Sequence, residues 1–152
     1  MREILFKGRR TDNKQWVEGY YALIGDENPN AYIIKSNGRR VRVAHNSISE
    51  YTGIQDKNGK KIFEGDIVRT QPFYDRPYSS KRKEKQFLGV VEYLTHKFDG
   101  NRFYGEQIYD ADWRVKISED IGNYTHCSWS DFWNCEVVGN IHDNKLEDFE
   151  ND

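Results

Sequence analysis

Residues 51–68 read YTGIQDKNGKKIFEGDIV, and this stretch decides the fold. Its centre, Asp-Lys-Asn-Gly at 56–59, favours a tight turn, because Asp and Asn bond their own backbone and Gly accepts positive φ. The following Glu-Gly-Asp at 64–66 interrupts the chain again before the β-branched residues Ile67 and Val68. We therefore predict a hairpin that turns at 56–59 and a new strand that begins close to Ile67.

The rest of the chain repeats this alternation of short apolar runs and polar turns. An Asn-Gly pair at 37–38, set between two apolar runs, is the strongest short-range signal of a hairpin. Four Trp, ten Tyr and eight Phe, together with many β-branched residues, favour sheets over helices. We therefore predict a mainly β protein with little helix, in which an N-terminal antiparallel sheet subdomain precedes a small C-terminal SH3-like barrel.

Changes in composition along the chain predict its organisation. Residues 70–87 contain two of the three prolines and a run of basic residues, and a polar insertion of this length is uncommon inside a compact domain unless it is mobile or functional. We predict a β subdomain at 1–62, a barrel subdomain at 63–143 that contains this insertion, and an acidic tail at 144–152.

The charge of the chain limits its partners. A formal net charge of -2 gives no global attraction to nucleic acid or to a membrane surface, so a polyanionic partner requires a local basic patch. The N-terminal residues lack the apolar run of a signal peptide, and no segment approaches the roughly 20 apolar residues that span a bilayer. We predict a protein of the host cytoplasm with no membrane partner.

Arginines alternate with valines at 40–43. Val41 and Val43 alternate with Arg40 and Arg42, so one face of this strand is buried and the other presents guanidinium groups to water. We interpret these arginines as a solvated face.

Aromatic and basic residues are interleaved at 73–87, within the predicted insertion. Cations that contact phosphates and rings that stack on bases are what proteins use to bind single-stranded nucleic acid. A solvated connecting loop would have the same charge run. If this loop binds nucleic acid, the contact residues are Tyr74, Arg76, Tyr78, Lys81, Arg82, Lys83 and Lys85.

A zinc site is the sharpest alternative among metal centres. His126, Cys127, Cys135 and His142 supply four suitable ligands. Structural zinc sites bring their ligands in pairs a few residues apart, whereas the adjacent His126 and Cys127 point to opposite faces of an extended strand. We therefore predict no bound metal and no cofactor, and we interpret the two cysteines as reduced, partly buried thiols.

Catalytic groups are equally sparse. Covalent catalysis by Cys127 or Cys135 needs a base or a helix N-terminus that stabilises the thiolate, and the sequence identifies neither. Glu64 and Asp66 would lie on one face of a strand, but Gly65 between them indicates a turn in which Asp66 bonds backbone amides. The sequence therefore predicts that the protein is not an enzyme.

Five motifs, spread over the chain, resemble the YopX family of proteins from phages and prophages of Gram-positive bacteria. They lie at 2–8, 16–20, 51–68, 89–91 and 138–141, in the order of the family. The resemblance implies a small, mainly β protein encoded by a phage or prophage. It supplies no established activity, so no catalytic or binding residue is implied.

These observations favour a non-enzymatic accessory protein that acts as an interaction module. The partner would be an unidentified protein or a second copy of the chain. The alternative function is the binding of single-stranded nucleic acid through the basic aromatic loop at 73–87.

Overall fold

The protein is mainly β, as the sequence predicts. A computed structural model describes residues 3–74, 80–81, 83–99, 107–121, 124–127 and 134–149. The helical elements in these ranges include two single 3₁₀ turns, His45–Ser47 and Leu146–Phe149. The chain divides into two compact units, of which the first extends to Gln55 and includes Gly59–Glu64, and the second contains Asp56–Asn58 and continues from Gly65.

Six strands form the sheet of the first unit, and all of their pairings are antiparallel. Their spatial order is β4-β3-β2-β1-β5-β6, so the first four strands form a meander. The Asn-Gly turn at 37–38 joins β3 to β4, as predicted, with Gly38 at φ +78. The strands are β1 (Phe6–Arg9), β2 (Trp16–Ile24), β3 (Asn30–Ile34), β4 (Arg40–Arg42), β5 (Ser49–Gln55) and β6 (Lys61–Phe63).

The core of the first unit lies on one face of this sheet. The register places Tyr21 opposite Ile33 and Ile33 opposite Val41, and cross-strand partners lie on the same face. Val17 and Ala31 complete this face, and Phe6 packs against Tyr21 with the ring centroids 5.6 Å apart. Because side chains alternate along a strand, the residues next to these in β2, β3 and β4 point to the other face.

Five strands form the sheet of the second unit, in the order β12-β11-β10-β7-β13. Two are long, because the pairing of β10 with β11 continues from Gly89 opposite Ile117 to Asp99 opposite Gln107, although the apolar runs in the sequence are short here. Among the described strands no pairing joins the two edges of this sheet into a barrel. The strands are β7 (Asp66–Arg69), β10 (Leu88–Asp99), β11 (Gln107–Ile121), β12 (Tyr124–Cys127) and β13 (Glu136–Asn140); β8 (Phe73–Tyr74) and β9 (Glu84–Lys85) form a separate two-stranded ribbon.

A buried carboxylate fixes the turn predicted at 56–59. Asp56 is 6% exposed, and its two oxygens accept hydrogen bonds from the backbone N–H groups of Asn58 (2.8 Å) and Val137 (3.0 Å). Gly59 has φ +81, as the predicted turn requires. The Lys57 N–H donates to the Cys135 carbonyl at 3.0 Å. Asp56 thereby connects its own turn to β13, within the second unit.

Asp66 makes a comparable buried contact. Its Oδ1 accepts a hydrogen bond from the Asn140 side-chain amide at 2.8 Å, and both residues are buried. The carboxylate therefore ties the start of β7 to the end of β13, a contact with the far end of the chain that the sequence did not predict.

We expect Gly59→Val to lower the free energy of unfolding by more than about 1 kcal/mol, because a β-branched residue is strained at positive φ. Space is not the cause, since an added Cβ meets no atom closer than 3.9 Å. Gly59→Asn, which tolerates the left-handed region, is the matched control and should cost less. Urea unfolding of the three proteins measures both effects, and equal midpoints for all three would refute the turn geometry.

We expect Asp56→Ala to destabilise the protein by about 1–3 kcal/mol, because it leaves the buried N–H of Val137 without its acceptor. Lys57→Ala is the neighbouring control. It removes only an ion pair with Glu136, 2.6 Å long and roughly two-fifths exposed on each side, which is worth at most about 1 kcal/mol. Chemical denaturation compares the two variants, and a larger loss for Lys57→Ala would contradict this assignment.

Candidate interaction surface

The sheet of the first unit exposes a face opposite its core. Tyr20 pairs with Ile34, and Ile34 pairs with Arg40; in the next row Tyr32 pairs with both Ala22 and Arg42. These pairs alternate with the buried core residues, so they lie together on the outer face. We name part of this surface the basic face: outward side chains of β2, β3 and β4 together with the two cations that flank the β3–β4 turn, that is Tyr20, Ala22, Tyr32, Ile34, Lys35, Arg39, Arg40 and Arg42. Glu18, two residues before Tyr20 on β2, also points outward but lies beyond this part, where it pairs with Lys7 of β1.

Aromatic rings on the basic face are accessible. Tyr20 is 61% exposed, one of the most exposed large hydrophobic side chains described in the protein, and Tyr32 is half-buried. Tyr20 lies opposite Ile34, so Tyr32, two residues earlier on β3, is its diagonal neighbour. Diagonal neighbours on a sheet lie about 7–8 Å apart, within reach of aromatic side chains. The two rings therefore form one aromatic strip across adjacent strands.

The cations of the basic face are concentrated in one segment. Residues 28–49 contain Lys35, Arg39, Arg40 and Arg42 and no Asp or Glu, a formal charge of +4 in a chain of -2. Within the described ranges, the side chains of Lys35, Arg39 and Arg40 make no hydrogen bond or ion pair. Arg42 donates from Nη2 to the Asn30 side-chain oxygen at 2.6 Å, a neutral partner that leaves its charge uncompensated.

The cations of β1 and β6, which lie toward the other edge of the same sheet, are differently placed. The Lys7 ammonium lies 5.0 Å from the centre of the Trp16 ring and 4.7 Å from that of Phe63, distances at which cation–π attraction operates. Lys61 lies 3.6 Å from Glu18 and 3.9 Å from Glu3. These ammonium groups are engaged by rings and carboxylates within the unit.

Tyr51 belongs to this engaged region. Burial and the nearby carboxylate of Glu3 raise the pKa of its phenol, although Lys61, with its ammonium 5.7 Å from the ring, opposes the shift. The phenol therefore stays protonated near neutral pH, and the region serves packing.

The loop predicted to bind nucleic acid is only partly within the described residues. Lys81 and Lys83 are exposed, and the Lys85 ammonium lies 5.0 Å from the centre of the Phe87 ring. Tyr74 lies on β8, opposite Glu84 of β9, but its side chain is outside the described part of the chain. Arg76, Tyr78 and Arg82 lie outside the described residues. The structure therefore brings no complete set of the predicted contact residues together.

Of the four candidate zinc ligands, the structure describes the side chains of Cys135, which is buried, and His142, which is half-buried. Cys135 is fully buried, and burial, with the negative charge of Asp56, raises the pKa of its thiol to about 11. A neutral, buried thiol is a poor nucleophile and a poor metal ligand. The side chains of His126 and Cys127 lie outside the described residues. Within the described part, no three His, Cys, Asp or Glu residues converge on a metal position.

The sequence did not predict that the arginines and tyrosines of the basic face lie on one surface. It identified the alternation of Arg40 and Arg42 and assigned them to solvent, and it did not pair Tyr20 and Tyr32 with them, because cross-strand register is not encoded locally. One signal could have found the surface: the absence of any acidic residue over 28–49.

We expect the Cys135 thiol to resist labelling in the folded protein. With a pKa of about 11, about one thiol in a thousand is ionised at pH 8, and only the thiolate reacts. In a Cys127→Ser background, Ellman's reagent should therefore modify Cys135 slowly at pH 8 and rapidly in denaturing urea. Rapid stoichiometric labelling of the folded protein would contradict the buried, protonated thiol.

The described part of the chain contains no helix with the length and apolar character needed to cross a bilayer. A search of curated proteins returned no match to this chain. The model of one protein family, described as YopX protein, matches residues 5–147, which include both sheets and the basic face. The chain is therefore a member of the YopX family.

Proposed function

We propose that this chain is a non-enzymatic accessory protein of a phage or prophage, and that it acts in the host cytoplasm by binding a macromolecular partner through the basic face. The observation that carries the proposal is the combination of an exposed tyrosine on the outer face of the sheet with the cations of the adjacent β3–β4 hairpin, for which the described residues provide no ion pair. Large rings and arginine side chains are the residue types that dominate the energetics of interfaces.

The contrast between the cations at the two edges of the sheet supports this proposal. Lys7 and Lys61 contact rings and carboxylates of their own unit, which is the arrangement expected of cations that stabilise a fold. Lys35, Arg39 and Arg40 contribute no such contact within the described residues. Four clustered like charges repel one another. An external anionic partner would give them a role.

Binding of single-stranded nucleic acid by the loop at 73–87 is the second candidate. Two of its predicted cations, Lys81 and Lys83, are exposed, and the β8–β9 ribbon holds the two ends of the loop next to each other. A binding site there would use residues that are entirely distinct from the basic face.

The finer architecture forms part of the same proposal. We propose that the C-terminal sheet belongs to a small SH3-like barrel and that the subdomain boundaries lie at 62/63 and 143/144. Support for the barrel comes from the antiparallel pairing of β7 with both β10 and β13 around a core that includes Val68, Val91 and Val137.

A photo-crosslinking residue placed on the basic face tests the proposed function. We expect p-benzoylphenylalanine at position 20 to form adducts on irradiation in host cells, because it retains an aromatic ring at the exposed site. Position 23 is the matched control: Leu23 is 52% exposed and lies on the same strand, but alternation directs it to the opposite face. The chain is purified after irradiation, and covalent adducts are measured as bands of lower mobility on a denaturing gel.

The yield of adducts at position 20 should also depend on the cations of the basic face. The further substitutions Arg39→Ser and Arg40→Ser should reduce the adducts at position 20 without reducing expression of the folded chain. Absence of adducts at position 20, or equal adducts at positions 20 and 23, would refute an interaction through the basic face.

A further inference from the structure

We infer that the partner of the basic face is single-stranded nucleic acid, with phosphates bound by the cations of β4 and the β3–β4 turn and with bases stacked on Tyr20 and Tyr32. This inference rests on the proposed function and names its partner. It concerns a different surface from the loop at 73–87.

Charge complementarity identifies a polyanion. Lys35, Arg39, Arg40 and Arg42 lie on one hairpin, and the nearest acidic residues in the sequence are Glu27 and Glu50, outside the segment. Interactions between exposed charges are screened beyond about 10 Å at 0.1 M salt. A local charge of +4 therefore attracts phosphates even though the whole chain is slightly acidic.

The rings distinguish a nucleic acid from other polyanions. Tyr20 and Tyr32 are diagonal neighbours on the outer face of a sheet. Aromatic residues on the face of an antiparallel sheet can stack successive bases, as RRM domains do with single-stranded RNA. Heparin or an acidic peptide would use the cations but would gain nothing comparable from the exposed ring of Tyr20.

The position of the cations relative to the rings fits a single strand. Arg40 pairs with Ile34 and Ile34 with Tyr20, whereas Arg42 pairs directly with Tyr32. Each tyrosine is therefore in the same cross-strand row as one arginine, so a strand lying along the face can place its bases on β2 and β3 and its phosphates over β4. The bases of a duplex are paired and stacked, and they cannot reach the rings.

Fluorescence anisotropy with labelled single-stranded oligonucleotides tests the inference with the intact chain. We expect dT20 and rU20 probes to bind more tightly than a duplex of the same length, with an affinity that falls as salt rises. Each phosphate contact contributes a slope of about 0.7 in log affinity against log salt concentration. The double variant Lys35→Ser/Arg40→Ser should therefore lower the slope by about 1.4.

The tyrosines make a separable contribution. Tyr20→Ala should weaken binding about fivefold to 150-fold, the range for losing one stacked base, without a change in the salt slope. Tyr20→Phe should retain the affinity, because it keeps the ring. Tyr93→Ala is the matched control, since Tyr93 is 47% exposed and belongs to the second unit; it should bind as the unmodified chain does.

Two cation controls separate this face from other basic regions. Lys145→Ser removes an exposed lysine of the second unit and should leave the affinity within about twofold of the unmodified chain. Lys81→Ser/Lys83→Ser alters the loop at 73–87 and should also have little effect. A loss of affinity in the loop variant with none in Lys35→Ser/Arg40→Ser would overturn the assignment to the basic face.

The remaining outcomes separate the inference from the proposed function. No binding of either probe at low salt, or equal binding of a duplex with no effect of Tyr20→Ala, would overturn the inference. If position 20 still crosslinks in cells, and the adduct resists nuclease and contains peptides of a second protein by mass spectrometry, the interaction function stands and its partner is a protein. If position 20 forms no adduct, the proposed function itself fails.

Discussion

The register of β2 on β3 and of β3 on β4 is the constraint on which the first unit depends. Because side chains alternate with a period of two, this register places Ala31, Ile33 and Val41 in the core. The same register places Tyr32, Arg40 and Arg42 outside. A slip of one residue would exchange the two sets. Burial of the aliphatic residues therefore fixes the arrangement of the basic face, although none of its cations needs to stabilise it.

The local part of the fold follows from the sequence, because tight turns depend on a few adjacent residues. Positive φ at Gly38 and Gly59 and the bond from the Asn58 N–H to Asp56 are consequences of short-range chemistry. The mainly β class follows as well, from the aromatic and β-branched composition. The bonds from Asp56 to Val137 and from Asp66 to Asn140 join residues 81 and 74 positions apart. Nothing near either carboxylate specifies such a partner.

The same distinction explains what the sequence shows of the candidate surface. Arg40 and Arg42 are identified as exposed by their alternation with valines, a local pattern. Their association with Tyr20 requires β2, β3 and β4 to pair in one register, which depends on the whole sheet. The length of β10 and β11 was missed for a related reason: polar residues within a strand resemble a turn unless a partner strand is known to continue beside them. Pairing, more than propensity, determines where these strands end.

The placement of cations within the first unit separates structural from functional electrostatics. Lys7 and Lys61 are held by rings and carboxylates, contacts that exist in the isolated chain. The basic face repels itself, and this repulsion costs little because guanidinium groups at the surface remain hydrated and screened by salt. A fold gains no stability from keeping four cations together without a carboxylate among them. The repulsion among these cations is weak, and a bound anion would remove it. The excess of positive charge on the basic face is therefore the physical property of this chain that points most directly to a ligand.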